Sequence, residues 1–139
     1  MSEISAAFLY SQLQMLEKVT QKRRNLWYRY SELFQPLVTE GHIELQTVPE
    51  GCEHNGHLFY IKVKNLSIRT ALINDLKEEG ISSVFHYVPL HKSPGGKKYG
   101  RFYGDDRWTI SESDRLLRLP MHYSLQCTEV DLICEKIKL

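Results

Sequence analysis

Two histidines, a tyrosine and a proline fall within eight positions in the stretch VFHYVPLH, residues 84–91. Imidazole and phenol groups donate and accept hydrogen bonds, so His86, Tyr87 and His91 are candidates for binding a polar ligand such as sugar hydroxyls or phosphate. The alternative is structural, because Phe85 and Tyr87 would pack on one face of a core strand that ends at Pro89. Spacing alone leaves both interpretations open.

Three other groupings match known kinds of site only in part. Cys52, His54 and His57 could contribute to a zinc site, but the chain has no C-x-x-C pair to complete one, so no metal is expected. PGGKKYG lacks the spacing of a phosphate-binding P-loop and predicts a mobile surface loop. A cysteine nucleophile needs a neighbouring imidazole, and Cys127 and Cys134 lie near a helical stripe where cysteine usually acts as a small hydrophobe.

Composition indicates one globular domain. The 139 residues are 42% hydrophobic and 25% charged, and 18 basic against 17 acidic residues leave a formal charge of +1. This balance gives no overall field that would attract nucleic acid, and QKRRN at 21–25 is interpreted as a solvated helix face. No run approaches the roughly 18 apolar residues of a membrane span, and no basic signal-peptide opening is present. We expect a cytoplasmic protein with reduced thiols and neither a membrane nor a nucleic-acid partner.

Helical periodicity dominates the first quarter of the chain. Apolar residues recur there at steps of three, four or seven, which predicts a helix from about Ser2 to Gln35 that ends at Pro36. Such a helix is longer than the usual 8–20 residues of a globular domain. We therefore expect that it kinks, or that half of it packs on something outside this chain.

The remaining residues alternate between strand and helix patterns. Strands are predicted at 42–48, 57–64 and 84–91. Helices are predicted after a Ser67 cap with Gly80 at the C-terminal end, from Ser111 to about Pro120, and from Thr128 to the end, with a loop over 92–107. The sequence thus predicts an α+β fold, in which a long N-terminal helix precedes a small three-stranded sheet covered by later helices.

Four stretches occur in an order typical of one enzyme family. They are SEISAAFLYSQLQMLEKVTQKRR, CEHNGHLFYIKV, GISSVFHYVPLH and SESDRLLRLPMHYSL. Over nearly its whole length the chain resembles the DegT/StrS family of pyridoxal-phosphate-dependent sugar aminotransferases. The resemblance implies that residues 1–36 form the helix connecting two domains and that 37–139 form the small C-terminal domain. The large fold type I domain would precede Met1.

The resemblance also implies that the upstream domain and this chain carry different functional residues. The Schiff-base lysine and most of the phosphate contacts would lie upstream, so this chain is expected to hold no catalytic residue and no pyridoxal phosphate by itself. The parent enzyme would be a homodimer that transfers an amino group from glutamate to the keto carbon of a dTDP-linked sugar. Its small domain closes over the sugar, which places His86 and Tyr87, and less directly His91, at the substrate.

Two rival hypotheses belong to other functional classes. The chain could be a stand-alone binding or interaction module whose long helix pairs with a partner helix. Coding sequence for a large domain upstream would favour the aminotransferase, whereas untranslated sequence before Met1 would favour the module. A small cysteine-dependent enzyme is the third reading, and it predicts a thiol unusually reactive to alkylation.

Overall fold

The N-terminal helical segment is divided into two helices. The computed structural model describes residues 1–139 and places α1 at Glu3–Leu13 and α2 at Leu16–Thr39. The interruption between Leu13 and Leu16 agrees with the first of the two alternatives, a kink. The predicted end at Pro36 is wrong, because α2 continues to Thr39. Because proline has no backbone N–H, the helix loses one hydrogen bond at Pro36. The Pro36 carbonyl still accepts a hydrogen bond from the Glu40 N–H at 3.0 Å. A proline this close to a helix end is tolerated.

Four short strands form one antiparallel sheet in the order β1-β2-β4-β3. The strands are β1 Glu44–Leu45, β2 Phe59–Lys62, β3 Val84–Phe85 and β4 Leu116–Leu119. The first three lie within predicted strands, although each is shorter than predicted. β4 pairs with β2 on one side and with β3 on the other, which makes it a central strand.

β4 corrects the prediction of a helix over residues 111–120. The helix there, α5, spans Thr109–Arg115 and gives way to the strand without a connecting loop. Leu117 and Leu119 are buried, and Leu116 and Arg118 are half-buried, which is the alternation of a strand. The gap between β2 and β3 offers hydrogen-bond partners on both sides, and this tertiary pairing overrides the local helical signal.

Three helices cover one face of the sheet. They are α2, α3 at Leu66–Glu78 and α6 at Cys127–Lys136. Their buried side chains meet those of β2 and β4 in a single core of 16 apolar residues. An aromatic group at its centre consists of Trp27, Tyr30, Phe34 and Phe59. The predicted α+β class is confirmed, with α2 joining the later helices as cover.

Shorter elements shape the remaining segments. A 3₁₀ turn at Leu90–Lys92 replaces the end of the strand predicted at 84–91. The loop predicted over 92–107 contains the short helix α4 at Pro94–Tyr99. Asn65 rather than Ser67 caps α3, because its Oδ1 accepts from the Ile68 N–H at 3.0 Å. None of the helices combines the length and apolar composition that crossing a bilayer would require.

Gly80 ends α3 as predicted, and it provides a clean test of backbone strain. Its φ is +75°, and the Ile81 N–H that follows it bonds the Leu76 carbonyl at 2.8 Å. Gly80→Ala should lower the free energy of unfolding by about 1–2 kcal/mol, since an L residue is disfavoured in this conformation. Urea denaturation would measure the change.

Gly95→Ala is the matched control for Gly80→Ala. An added Cβ meets nothing within 4 Å at either position, but Gly95 lies in α4 without a positive φ. Alanine in that helix should be neutral or stabilise by up to about 1 kcal/mol. Equal effects of the two substitutions would contradict the assignment of strain to Gly80.

Candidate functional site

His86 and Tyr87 follow directly after the last residue of β3. Their rings touch edge-to-face with centroids 4.3 Å apart. The hydroxyl of Ser113 in α5 donates to the Tyr87 carbonyl at 2.6 Å, which fixes the backbone of this segment to the helix before β4. The Tyr87 side chain is 69% exposed, so its hydroxyl is available to a ligand.

The structural interpretation of this stretch, in which Phe85 and Tyr87 pack into the core, is wrong. Phe85 is 44% exposed and lies below the Arg69 guanidinium, whose central carbon is 5.3 Å from the ring centroid. Both residues of β3 are exposed, because β3 is an edge strand and the core lies on the helix-covered face of β2 and β4. Phe85 and Tyr87 are therefore surface residues of this chain.

His91 occupies a separate position from the other two predicted site residues. It lies in the 3₁₀ turn after Pro89, and no hydrogen bond or ring contact joins it to His86 or Tyr87. Its Nε2 is 2.6 Å from Oδ2 of Asp106, and its ring centroid is 4.4 Å from that of Phe102. His91 is thus built into a local cluster with the loop that precedes α5.

The segment that carries these residues exposes many large apolar side chains. Tyr103 is 96% exposed and Tyr99 is 81% exposed. The other exposed large apolar or aromatic side chains of this segment are Val84, Phe85, Tyr87, Val88, Leu90, Phe102 and Trp108. Such a concentration of exposed aromatic and aliphatic groups is typical of a surface that contacts a ligand or another protein domain.

The sequence did not identify Asp106 or Ser113 as neighbours of the candidate residues. Asp106 carries a weak signal, since an aspartate shortly before a helix commonly binds the free N–H groups of its first turn. Its Oδ1 accepts from the Ile110 N–H at 3.3 Å. Its pairing with His91 crosses 15 positions, and no periodic pattern predicts such a contact.

Lys62, whose side chain is 21% exposed, belongs to an ion-pair cluster on the sheet. Lys62 Nζ lies 2.8 Å from Glu112 Oε2 and 2.8 Å from Glu44 Oε2. The hydrogen bonds from Lys62 to Glu112 and to Glu44 raise the pKa of this lysine. Arg115 also pairs with both carboxylates, so the cluster joins β1, β2 and α5. Lys62 therefore stabilises the fold.

Of the candidate metal ligands Cys52, His54 and His57, His54 packs against aromatic rings, whereas Cys52 and His57 are exposed. The His54 ring packs 4.2 Å from the Trp27 ring and 5.3 Å from the Tyr28 ring, measured between centroids. Its Nδ1 accepts from the Gly56 N–H at 3.2 Å. No group of three or more histidine, cysteine, aspartate or glutamate side chains is arranged to hold a metal ion. A cavity of about 380 Å³ beside His54 is lined by both polar and apolar residues.

The packing of His54 predicts a dependence of stability on pH. Burial, followed by the charge of Arg24, lowers the pKa of His54. The unfolded chain then binds a proton that the folded chain resists, so the free energy of unfolding should fall as the pH drops below about 6.5. Urea midpoints measured from about pH 7.5 to about pH 5 would follow this loss.

His54→Phe is the control for the pH dependence. Phenylalanine keeps a ring between Trp27 and Tyr28 but does not titrate, so the variant should lose less stability on acidification than the original chain. The other five histidines are unchanged and contribute equally to both proteins. Identical pH profiles for the two proteins would show that His54 is not the responsible group.

The three cysteines are free thiols with different surroundings. Cys134 packs against the core, and burial, followed by the charge of Asp131, raises the pKa of its thiol to about 12. A thiol of this kind is mostly protonated near neutral pH and is a poor nucleophile. Cys52 and Cys127 are exposed.

Comparison with known proteins identifies the family. The sequence matches the DegT/DnrJ/EryC1/StrS aminotransferase family over residues 1–138. The chain belongs to this family. The resemblance inferred from the four sequence stretches is confirmed. His86 and Tyr87 lie within the residues that match the family.

Two of the relatives are named as aminotransferases of dTDP-linked sugars. The chain is 29% identical to the dTDP-4-dehydro-2,3,6-trideoxy-D-glucose 4-aminotransferase of Saccharopolyspora spinosa, over 99% of this chain and 34% of that protein. It is also 29% identical to the dTDP-3-amino-3,6-dideoxy-alpha-D-galactopyranose transaminase of Aneurinibacillus thermoaerophilus, over 99% and 36%. The chain spans about a third of the length of the curated relatives it matches.

A solved structure gives the same result for the fold. A DegT DnrJ EryC1 StrS aminotransferase from Brucella abortus superposes with a TM-score of 0.77 and 30% sequence identity. The match covers 94% of this chain and 33% of that one. The α+β fold described above is therefore the fold of one part of a larger aminotransferase.

Proposed function

We propose that this chain is the small C-terminal domain of a pyridoxal-phosphate-dependent aminotransferase that acts on a nucleotide sugar. The full enzyme would transfer an amino group from glutamate to dTDP-4-oxo-6-deoxy-D-glucose, giving a precursor of a cell-surface polysaccharide. Residues 1–36 would connect the two domains, and 37–139 would form the small domain. The enzyme would work as a cytoplasmic homodimer.

One observation carries this proposal. The family match spans residues 1–138, while the chain has about a third of the length of its relatives. Within the matched region the half-buried His86 and the exposed Tyr87 present an imidazole and a phenol beside each other. These groups suit the hydroxyl and keto oxygens of a sugar.

The surface of α1 supports the view that a large part of the enzyme packs against it. Ile4 and Phe8 lie on one side of this helix, and Leu9 and Leu13 lie on the opposite side. All four are exposed, with values of 85%, 68%, 44% and 53%, and α1 has no buried residue. A helix that is apolar all round is normally buried in a larger structure.

The lysines of this chain support placing the Schiff-base lysine elsewhere. Pyridoxal phosphate, when bound, supplies the electron sink for transamination. A lysine that reacts with it needs a desolvated or otherwise activated amine. No lysine of the chain is buried, and Lys62, whose side chain is 21% exposed, is held between Glu44 and Glu112. The chain's part would be to bind and orient the sugar.

An assay of the longer enzyme tests the proposal. The protein encoded with its upstream sequence would be incubated with glutamate and dTDP-4-oxo-6-deoxy-D-glucose, and the product analysed by NMR. The corresponding 3-keto sugar is the matched control, because the two relatives named above act at different ring positions and are equally identical to this chain. Amination at C4 is expected, and amination only of the 3-keto sugar would contradict the proposed substrate.

The interaction-module hypothesis makes the opposite prediction in the same experiment. If no large domain is encoded upstream, no transamination occurs, and the exposed α1 must bind a separate partner. Absence of the upstream coding sequence would therefore overturn the proposed function.

A further inference from the structure

Asp106 joins two segments that are far apart in sequence. Its Oδ2 lies 2.6 Å from Nε2 of His91, and its Oδ1 accepts from the Ile110 N–H at 3.3 Å. The side chains are only 11% exposed for Asp106 and 21% exposed for His91. The carboxylate thus fastens the turn at Leu90–Lys92 to the start of α5.

The charge state of Asp106 determines which nitrogen of His91 carries a proton. Burial alone would raise the pKa of the Asp106 carboxyl. The hydrogen bonds from His91 and from the backbone N–H groups of Ile110 and Thr109 outweigh it and lower the pKa. An ionised carboxylate only accepts hydrogen bonds, so the proton of this pair belongs to Nε2 of His91.

The other nitrogen of His91 is then left for a ligand. Nδ1 makes no hydrogen bond within the chain, and in the neutral ring it is an acceptor when Nε2 is protonated. His91 is one of the residues that line a cavity of about 250 Å³. The other residues lining this cavity are Leu90, Gly96, Gly100, Arg101 and Phe102.

Close packing holds the walls of this cavity in place. A Cβ added at Gly96 would lie 1.8 Å from the Leu90 carbonyl oxygen, so α4 rests directly on the turn that carries His91. The Phe102 ring lies 4.4 Å from the His91 ring, measured between centroids. His91 is therefore fixed on its Asp106 side and by its ring contact, while Nδ1 has no protein partner.

We propose that Asp106 is a positioning residue for His91, fixing the ring and its tautomer so that Nδ1 accepts a hydrogen bond from a sugar hydroxyl at this cavity. The sugar part of this inference rests on the proposed function. Asp106 does not touch the ligand and acts through His91 alone.

The first arm of the test measures the tautomer on this chain. Long-range ¹H–¹⁵N NMR distinguishes a proton on Nε2 from one on Nδ1 in neutral histidine. The original chain should show His91 with the proton on Nε2. Asp106→Asn and Asp106→Ala should both add the Nδ1-protonated form, whereas Asp105→Asn, at the exposed neighbouring carboxylate, should not. An unchanged His91 tautomer in both Asp106 variants would overturn the positioning role.

The second arm measures kinetics on the longer enzyme. Loss of one hydrogen bond between neutral groups corresponds to about a 2- to 12-fold effect, so Asp106→Asn should raise KM for the sugar by about this factor. It should change kcat less, and Asp105→Asn should change neither. Asp106→Glu should restore part of the loss if the carboxylate is what matters.

The two arms separate the possible failures. If the original enzyme does not aminate the sugar, the proposed function and the sugar part of this inference both fail. The NMR result still shows whether Asp106 fixes the tautomer of His91. If the enzyme is active and Asp106→Asn has unchanged KM despite an altered tautomer, His91 does not contact the sugar. If Asp106→Asn lowers thermal stability but leaves KM unchanged, the contact between Asp106 and His91 serves only to stabilise the fold.

Discussion

Replacing Tyr87 with phenylalanine in the longer aminotransferase is expected to lower kcat/KM for the nucleotide sugar by about 2- to 150-fold. The range corresponds to one lost hydrogen bond, from about 0.5 kcal/mol with a neutral partner to about 3 kcal/mol with a charged one. The ring and its contact with His86 remain, and the side chain is 69% exposed, so stability should change little. Steady-state kinetics and thermal melting of the same samples would measure both quantities.

Companion variants show whether the effect belongs to the site. His86→Phe should cause a loss in the same range if its imidazole faces the sugar. Tyr123→Phe removes a phenol that lies beside Lys22, away from the candidate residues, and should leave kcat/KM unchanged. Full activity in both the Tyr87 and the His86 variants would refute the substrate-binding role of this pair.

Removing the Phe59 ring is expected to cause the largest loss of stability. Phe59 is fully buried, and its ring centroid lies 4.8 Å from that of Tyr30, 5.5 Å from that of Trp27 and 6.1 Å from that of Phe34. Phe59→Ala should lower the free energy of unfolding by about 3–5 kcal/mol, because it removes apolar contacts and leaves a cavity between β2 and α2. The melting temperature should fall by roughly 10–25 °C.

Phe85→Ala is the matched control for Phe59→Ala. The chemical change is identical, but Phe85 lies on the edge strand β3 and is 44% exposed. It should cost less than about 1 kcal/mol. Comparable losses from the two substitutions would mean that the aromatic group around Phe59 is not the centre of the core.

The parts of the fold that depend on local signals were predictable from the sequence. Apolar periodicity predicted α2, α3 and α6, and Gly80 correctly predicted the end of α3. β4 was not predictable in this way. The pattern SESD favours a helix locally, and only the unfilled position between β2 and β3 makes the following leucines a strand.

The candidate site shows the same division between local and long-range information. Residue types in VFHYVPLH left a ligand-binding and a structural interpretation open, and the 69% exposure of Tyr87 argues against packing in the core. The different surroundings of His86 and His91 could not be read from spacing, because the partner of His91 lies in a separate loop. Contacts of this kind depend on where the chain returns in space.

The bare surface of α1 has a practical consequence for handling the isolated chain. Ile4, Phe8 and Leu13 are free to bury one another between copies, so light scattering by a purified sample should grow with protein concentration. Mild non-ionic detergent would mask these side chains, and trimming the first helix would remove them without touching the core. The colloidal behaviour of the preparation is therefore governed by its first dozen residues, while its thermal stability is governed by the sheet and the three helices that cover it.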